Sequence, residues 1–131
     1  MELYGSRGRD AWALLARAAA QAWGVSPLPP VARTADGKPW FPSRPELRFS
    51  LSHSGGYAAC AVSARPVGVD LEEIRPLRPA LLGILSEEEH AWMGDDAARF
   101  AQLWTAKEAM LKCRGAALGR LRHLPLAMTP D

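Results

Sequence analysis

The strongest constraint on the fold is a short alternating segment, "LRFSLSHS", which is followed by two glycines and the apolar run "YAACAV". In an extended chain, Leu47, Phe49 and Leu51 point to one face and the polar residues between them point to the other. Two such segments joined by Gly55 and Gly56 predict an antiparallel hairpin. The pattern therefore predicts a half-buried strand paired with a buried one.

Helical periodicity predicts several helices around this hairpin. Residues from about 10 to 23 predict one helix, and residues from about 95 to 114 predict a long one, each followed by a glycine stop. A short helix is predicted near residues 80–85. Ser86 and Glu89 have the spacing of a capping box, which predicts a further helix start.

The remaining segments predict one more strand and a long loop. Residues 67–72, "VGVDLE", predict a third strand in which Asp70 and Glu72 share one face. Six prolines within residues 26–45 predict a loop with at most a short strand. The tail 118–131 is predicted to hold one short strand at most.

Length and composition exclude several classes of protein. The 131 residues suit one domain, and 48% hydrophobic with 23% charged residues is ordinary for a globular protein. No apolar run reaches the roughly 18 residues that span a bilayer, and the start lacks a signal-peptide pattern, so a cytoplasmic protein without a membrane partner is expected. A net charge of +2 is too small to indicate a nucleic-acid partner. The two cysteines match no metal-site spacing and are expected to be free thiols.

The segment "LWTAKEAMLK" in the long helix carries an unusual pattern. At about 100° per residue, Lys107 falls in the middle of the apolar side and Glu108 at its edge. The Lys107 stem could lie along that side with its ammonium in water, and Glu108 with Lys112 could be an exposed ion pair. Alternatively, this face covers Asp70 and Glu72, so that Glu108 is a third carboxylate and the lysines bind phosphate.

The two carboxylates of the third predicted strand also have two interpretations. Asp70 and Glu72 could simply face solvent. Side by side, however, two carboxylates repel each other unless a cation lies between them. A hard divalent cation such as Mg²⁺ takes oxygen ligands and keeps sites for water and phosphate. A magnesium site that includes Glu108 is therefore the alternative to a solvated surface.

Two weaker signals lie in loops and strand ends. Ser52 and His53 stand at the end of a predicted strand, where a single histidine is more typical of a cap or a surface residue. Gly37-Lys38-Pro39 is by itself an ordinary turn. Only three of the 16 basic residues are lysines, however, which suggests that those positions need the compact ammonium group.

Four segments taken together indicate a family. "DGKPWFP", "FSLSHSGGYAACAV", "VGVDLEEIRP" and "LWTAKEAMLKCRGAALG" resemble, in sequence and order, the motifs of Sfp-type 4′-phosphopantetheinyl transferases. The resemblance covers about residues 7–119. It implies a single α+β domain in which small antiparallel sheets pack against a long helix. Residues from about 1 to 65 would form an N-terminal half-like segment, and about 66–131 a shortened C-terminal half.

The resemblance also implies a reaction and the residues that carry it. Family members move the phosphopantetheine arm of coenzyme A to a serine of an acyl or peptidyl carrier protein and release adenosine 3′,5′-bisphosphate. Asp70, Glu72 and Glu108 are then expected to bind Mg²⁺, with Glu108 also acting as the base. Lys112, together with Lys107, is expected to neutralise charge on the pyrophosphate.

Further expected contacts involve the nucleotide end of coenzyme A. Ser52, His53 and the Lys38-Pro39 loop resemble the part of the family that holds the nucleotide. Arg7, expected at the start of the first helix, resembles an arginine that binds the 3′-phosphate.

Length is the main departure from the family pattern, because Sfp-type enzymes have two similar halves and are usually longer. The second half is therefore expected to be shortened and coenzyme A to bind more weakly. A homo-oligomer, most simply a two-fold dimer, is expected to complete the fold, and its rival is a monomer closed by the carrier protein. The alternative function is a non-catalytic module that binds coenzyme A or a carrier protein.

Overall fold

The computed structural model describes residues 1–115 as a mixed α and β fold. The elements in chain order are β1 (Glu2–Arg7), α1 (Ala11–Trp23), β2 (Ala32–Arg33), β3 (Pro39–Trp40), β4 (Arg48–Ser54), β5 (Tyr57–Ser63), a 3₁₀ helix (Pro79–Ile84), α2 (Glu87–Met93) and α3 (Ala97–Arg114). They form a three-stranded sheet in the order β1-β5-β4 and a two-stranded sheet of β2 and β3, both antiparallel. The strand expected in the tail 118–131 lies outside the described residues. No helix in the described part of the chain combines the length and hydrophobicity that crossing a membrane requires.

The predicted hairpin is confirmed as β4 and β5. Gly55 and Gly56 form its two-residue turn with φ angles of 59° and 79°, a region that residues with a side chain rarely adopt. β5 lies between β4 and β1, a strand that the sequence pattern did not predict. Helix α1 covers one face of this sheet, and Leu15, Phe49 and Cys60 are fully or almost fully buried in the first hydrophobic core between them.

The two main predicted helices are confirmed, and side chains define their first residues. Asp10 caps α1 by accepting a hydrogen bond from the Ala13 N–H at 2.9 Å. Asp96 caps α3 in the same manner. Gly24 and Gly115 end the two helices in the left-handed conformation, as expected for glycine stops.

A second hydrophobic core lies around α2, α3 and the 3₁₀ helix. Met93, Phe100 and Leu103 are buried in it. The helix expected near residues 80–85 is this 3₁₀ helix, Pro79–Ile84. Within residues 1–115, α1 covers the sheet, while α3 packs against α2 and contacts β4 through Lys112.

The prediction of a third strand over residues 67–72 is wrong for the described part of the chain. The segment runs beside β4, but alternate N–H groups donate to serine hydroxyls of β4 and not to backbone carbonyls. A β-ladder requires backbone acceptors, so this segment and β4 do not form a strand pair. The start of the segment lies against α3, where a Cβ on Gly68 would come within 1.9 Å of the Ala109 carbonyl oxygen. Only glycine permits this approach.

Candidate active site

A cleft of about 450 Å³ lies where the start of α1, the β2–β3 hairpin, β4 and the end of α3 meet. This volume falls within the roughly 300–1,000 Å³ of small-molecule sites. Six residues that the sequence singled out line the cleft: Lys38, Pro39, Ser52, His53, Glu108 and Lys112. Residues far apart in the chain, from three of the four motifs, therefore meet at one place.

The Asp70 side chain is 4% exposed and contacts two of the residues that line this cleft, while Asp70 itself lines a neighbouring trough. The Lys112 ammonium lies 2.9 Å from Asp70 Oδ1 and also donates to the Leu51 carbonyl at 3.2 Å. The Ser52 hydroxyl donates to the same Asp70 oxygen at 3.3 Å. The second oxygen, Oδ2, is buried and has no hydrogen-bond partner among residues 1–115. A buried carboxylate oxygen without a partner is unfavourable, so this atom is suited to accept a cation.

Glu108 lines the cleft from α3, one turn before Lys112. Burial raises the pKa of the Glu108 carboxyl, and the negative charge of Asp70 raises it further. The ammonium of Lys112 opposes this pKa shift, and Glu72 adds to it. A carboxylate with a raised pKa is a better proton acceptor near neutral pH than an ordinary one.

The three carboxylates expected to bind Mg²⁺ are not gathered into one cluster, although Asp70 and Glu72 are close enough to raise the pKa of Glu108. The Glu72 carboxylate accepts a hydrogen bond from the Trp104 indole N–H at 3.2 Å. Within the described residues, no group of three or more His, Cys, Asp or Glu side chains is arranged to hold a metal ion. The structure therefore brings Asp70 close to Glu108, whereas Glu72 faces Trp104.

Lys107 does not lie in the cleft. Its position on the apolar side of α3 is confirmed, and its side chain is completely buried in the protein. The Lys107 ammonium forms an ion pair with Glu89 Oε1 at 2.9 Å, and the Glu89 side chain is 1% exposed. Both interpretations of the sequence, an ammonium in water and a phosphate contact, are therefore wrong for this residue.

Arg7 also lies elsewhere. It ends β1 opposite Tyr57, before α1 begins, and lines the neighbouring trough, which Asp70 also lines, and not the cleft. Arg9 and Arg33 line the cleft instead, and the sequence interpretation missed both. Arg9 stands directly before Asp10, the N-cap of α1. Its position beside a predicted helix start is a sequence signal that could have marked it as a candidate site residue. Arg33 belongs to no motif that would have marked it.

Lys38 lines the cleft, but its ammonium has a structural role. It donates to the carbonyl oxygens of Val67 at 3.1 Å and Cys113 at 3.2 Å, and to that of Lys112. Two of these carbonyls belong to the last turn of α3, where a cation is favourable. Burial lowers the pKa of Lys38. The Lys38 ammonium therefore stabilises the end of α3. The predicted contact with the nucleotide would involve the part of the Lys38 side chain that lines the cleft.

Comparison with known families shows which proteins the chain resembles. Residues 66–129 match the family model described as the 4′-phosphopantetheinyl transferase superfamily. Proteins named 4′-phosphopantetheinyl transferase are also 31–40% identical to it over long segments. In sequence, the chain resembles members of this superfamily. The superfamily match includes Asp70, Glu108 and Lys112, the residues that meet at the edge of the cleft.

Three relatives from the superfamily illustrate the extent of the match. A 4′-phosphopantetheinyl transferase of Bacillus subtilis is 31% identical over 115 residues, which cover 80% of this chain and 50% of that protein. AcpT of Salmonella typhi is 40% identical over 100 residues, with coverages of 70% and 52%. AcpT of Escherichia coli is 38% identical over 116 residues, with coverages of 82% and 58%. The chain spans about half the length of these superfamily members.

Proposed function

We propose that this chain transfers the phosphopantetheine arm of coenzyme A to a serine hydroxyl of an acyl or peptidyl carrier protein. The similarity to this superfamily supports this reaction. The single observation that carries it is the contact between Lys112 and Asp70, 2.9 Å apart, beside the Glu108 carboxyl with its raised pKa. Lys112 and the proton acceptor Glu108 line one cleft, and the buried Asp70 carboxylate contacts Lys112 from a neighbouring trough.

In the proposed reaction, the serine oxygen attacks the phosphorus atom that carries pantetheine. The bond from this phosphorus to the bridging oxygen breaks, and that oxygen leaves with adenosine 3′,5′-bisphosphate. Glu108 accepts the serine proton, directly or through a water molecule, because its raised pKa suits that step. Lys112 neutralises negative charge on the phosphates as the bond breaks.

A divalent cation, Mg²⁺ in the first place, is part of this proposal. Carboxylate oxygens are the ligands that Mg²⁺ prefers, and the unpartnered Oδ2 atom of Asp70 is suited to this role. Asp70 and Glu108 would hold the ion, and Glu72 would join them by giving up its hydrogen bond from Trp104. When bound, the ion would supply further positive charge to the pyrophosphate.

The nucleotide end of coenzyme A is assigned to the basic part of the same cleft. Arg9, Arg33 and His53 line it and can contact phosphate groups. Arg9 takes the place that the sequence interpretation gave to Arg7. Ser52 lines the same cleft and is still proposed to contact the nucleotide end, although its hydroxyl already donates to Asp70.

The cellular setting belongs to the same proposal. A cytoplasmic location agrees with the two cysteines, Cys60 and Cys113, which are both free. The working form is proposed to be a homo-oligomer, most simply a two-fold dimer. Light scattering at working concentration tests this, and a monomeric mass together with full activity would reject the oligomer.

Mass spectrometry tests the reaction. The chain is incubated with coenzyme A, Mg²⁺ and an apo-carrier protein, and the carrier is expected to gain the mass of one phosphopantetheine arm. Glu108→Gln is expected to lower kcat by at least about a hundredfold, the usual scale for an acid–base group. Glu87→Gln, at an exposed position in the first turn of α2, is the matched control and should leave the rate unchanged.

Two outcomes would contradict this assignment. A Glu108→Gln variant that transfers the arm at the parental rate would exclude Glu108 as the base. Binding of coenzyme A in calorimetry without any modification of carrier proteins would instead favour the non-catalytic module.

A further inference from the structure

Three alternate serines of β4 contact the segment that bears two of the site carboxylates. The hydrogen bonds run from the N–H groups of Val69, Leu71 and Glu73 to the Oγ atoms of Ser50, Ser52 and Ser54, at 3.0, 3.0 and 3.2 Å respectively. Partners are separated by 19 residues in every case, so the segment runs parallel to β4. We call this set of three hydroxyls the serine ladder.

The ladder replaces the contacts of a β-strand. In a parallel pair of strands, backbone N–H groups donate to carbonyls of the neighbour. Here each donor meets a hydroxyl, which can accept one hydrogen bond and donate another. Ser50 and Ser52 are buried, at 5% and 8% exposure, so water does not readily substitute for them. Loss of the Ser50 or Ser52 hydroxyl would therefore leave a part-buried N–H without its acceptor, whereas the bond to Ser54 is exposed.

The carboxylates lie between the contacts of the ladder. Asp70 stands between its first and second hydrogen bonds, and Glu72 between its second and third. Because every second N–H points to β4, the chain is extended and both carboxylates share one face. Ser52 adds a direct contact, since its hydroxyl also donates to Asp70 Oδ1.

We propose that Ser50, Ser52 and Ser54 are positioning residues whose hydroxyls set the place of Asp70 and Glu72 in the site. The start of the segment is held separately, by the close approach of Gly68 to α3 and the hydrogen bond from Lys38 to the Val67 carbonyl. The ladder holds the part that follows, which carries the carboxylates. Only the link to divalent cations rests on the function proposed above.

The double variant Ser50→Ala/Ser54→Ala tests this inference. It removes the two outer hydroxyls and keeps Ser52, the one that contacts Asp70 directly. The matched control is Ser50→Thr/Ser54→Thr, which keeps both hydroxyls. Ser54→Ala alone, at the less buried end, serves as a second variant if the double variant does not fold.

Nuclear magnetic resonance supplies two readouts that need no metal. Amide exchange at Val69 is expected to accelerate at least about tenfold in the alanine variant, because its part-buried N–H loses its acceptor, and exchange at the exposed Glu73 N–H is expected to accelerate less. The indole N–H resonance of Trp104, which donates to Glu72, is expected to shift as that carboxylate moves. The threonine variant should restore both signals.

Calorimetry adds the affinity for Mg²⁺. Groups that orient metal ligands typically change metal affinity by about 10–100-fold, so the Kd of the alanine variant should rise about tenfold. The threonine variant should stay near the parental value. Accelerated exchange with an unchanged Trp104 resonance would overturn the inference, as would unchanged exchange. A parent chain that binds no Mg²⁺ would refute the proposed metal site, while the two resonance readouts would still decide the role of the ladder.

Discussion

Replacement of Lys107 by methionine is expected to destabilise the protein strongly. The Lys107 ammonium lies 2.9 Å from Glu89 Oε1, and the two side chains are 0% and 1% exposed. Methionine fills a similar volume but carries no charge. The substitution therefore removes the cation that lies 2.9 Å from the buried Glu89 carboxylate.

The size of the effect follows from this geometry. At 2.9 Å, two unit charges attract each other by about 6 kcal/mol at an effective dielectric constant of about 20. Removal of water from two ions costs several kcal/mol for each, which offsets that attraction in the intact pair. Removal of one partner deletes the attraction but leaves the other ion buried, and typically costs about 3–5 kcal/mol. Domains of this size are stable by about 5–15 kcal/mol, so the loss is a large share of the total.

Urea denaturation followed by circular dichroism measures the free energies of unfolding. The comparison uses Lys107→Met, Glu89→Gln and the double variant. Glutamine at position 89 can keep the capping box with Ser86, whose N–H donates to Glu89 Oε1 at 2.8 Å. The double variant contains neither charge and should recover most of the lost stability. Its KM for coenzyme A should match that of the parent, because Lys107 does not line the cleft.

Two results would refute this reasoning. The first is a Lys107→Met variant within about 1 kcal/mol of the parent, because removal of one partner from a buried ion pair costs more than that. The second is a double variant no more stable than Lys107→Met, which would show that the lost stability does not come from unpaired charge.

Three further predictions concern titration, helix ends and thiols. Burial and neighbouring charges raise the Glu108 pKa above its ordinary 4.5. The protonated Glu108 carboxyl therefore contributes to stability below about pH 4.5, and this contribution is lost as the pH rises through the raised pKa. In urea denaturation with EDTA present, Glu108→Gln should thus be more stable than the parent at about pH 8, and a gain of equal size at about pH 4 would contradict this. Lys38→Met should lower stability by about 1 kcal/mol and accelerate amide exchange in the last turn of α3, and unchanged exchange would exclude the capping role. Burial raises the pKa of Cys60 to about 11, so iodoacetamide should modify Cys113 and spare Cys60 in peptide mass spectrometry.

Much of the fold could be predicted because local signals agree with it. Alternation, the Gly55-Gly56 turn and the glycine stops identified β4, β5, α1 and α3 with bounds close to those observed. Strand β1 carries little pattern of its own, since Gly5 interrupts it and its partner β5 lies about 50 residues away. The segment 67–72 was mistaken for a strand because alternation shows that a chain is extended but not what accepts its hydrogen bonds.

The site was predictable to the extent that motifs mark it. The motifs led to Asp70, Glu108 and Lys112, which meet in the structure. Helical periodicity placed Lys107 on the apolar side, but its partner Glu89 lies on another helix, and periodicity says nothing about partners between helices. The Lys38 ammonium likewise bonds to backbone carbonyls 74 and 75 residues away, which no residue type in the sequence can reveal.

The two hydrophobic cores have a consequence for how the protein loses structure. One core joins α1 to the three-stranded sheet, and the other joins α2, α3 and the 3₁₀ helix. The contacts of Lys112 with Leu51 and Asp70 link these regions through polar groups, which water can replace when the regions separate. Partial unfolding should therefore proceed in two cooperative units, with the helical unit undocking before the sheet unit melts. A ligand that touches both Arg9 and Lys112 would bind across the boundary and make the two units unfold together.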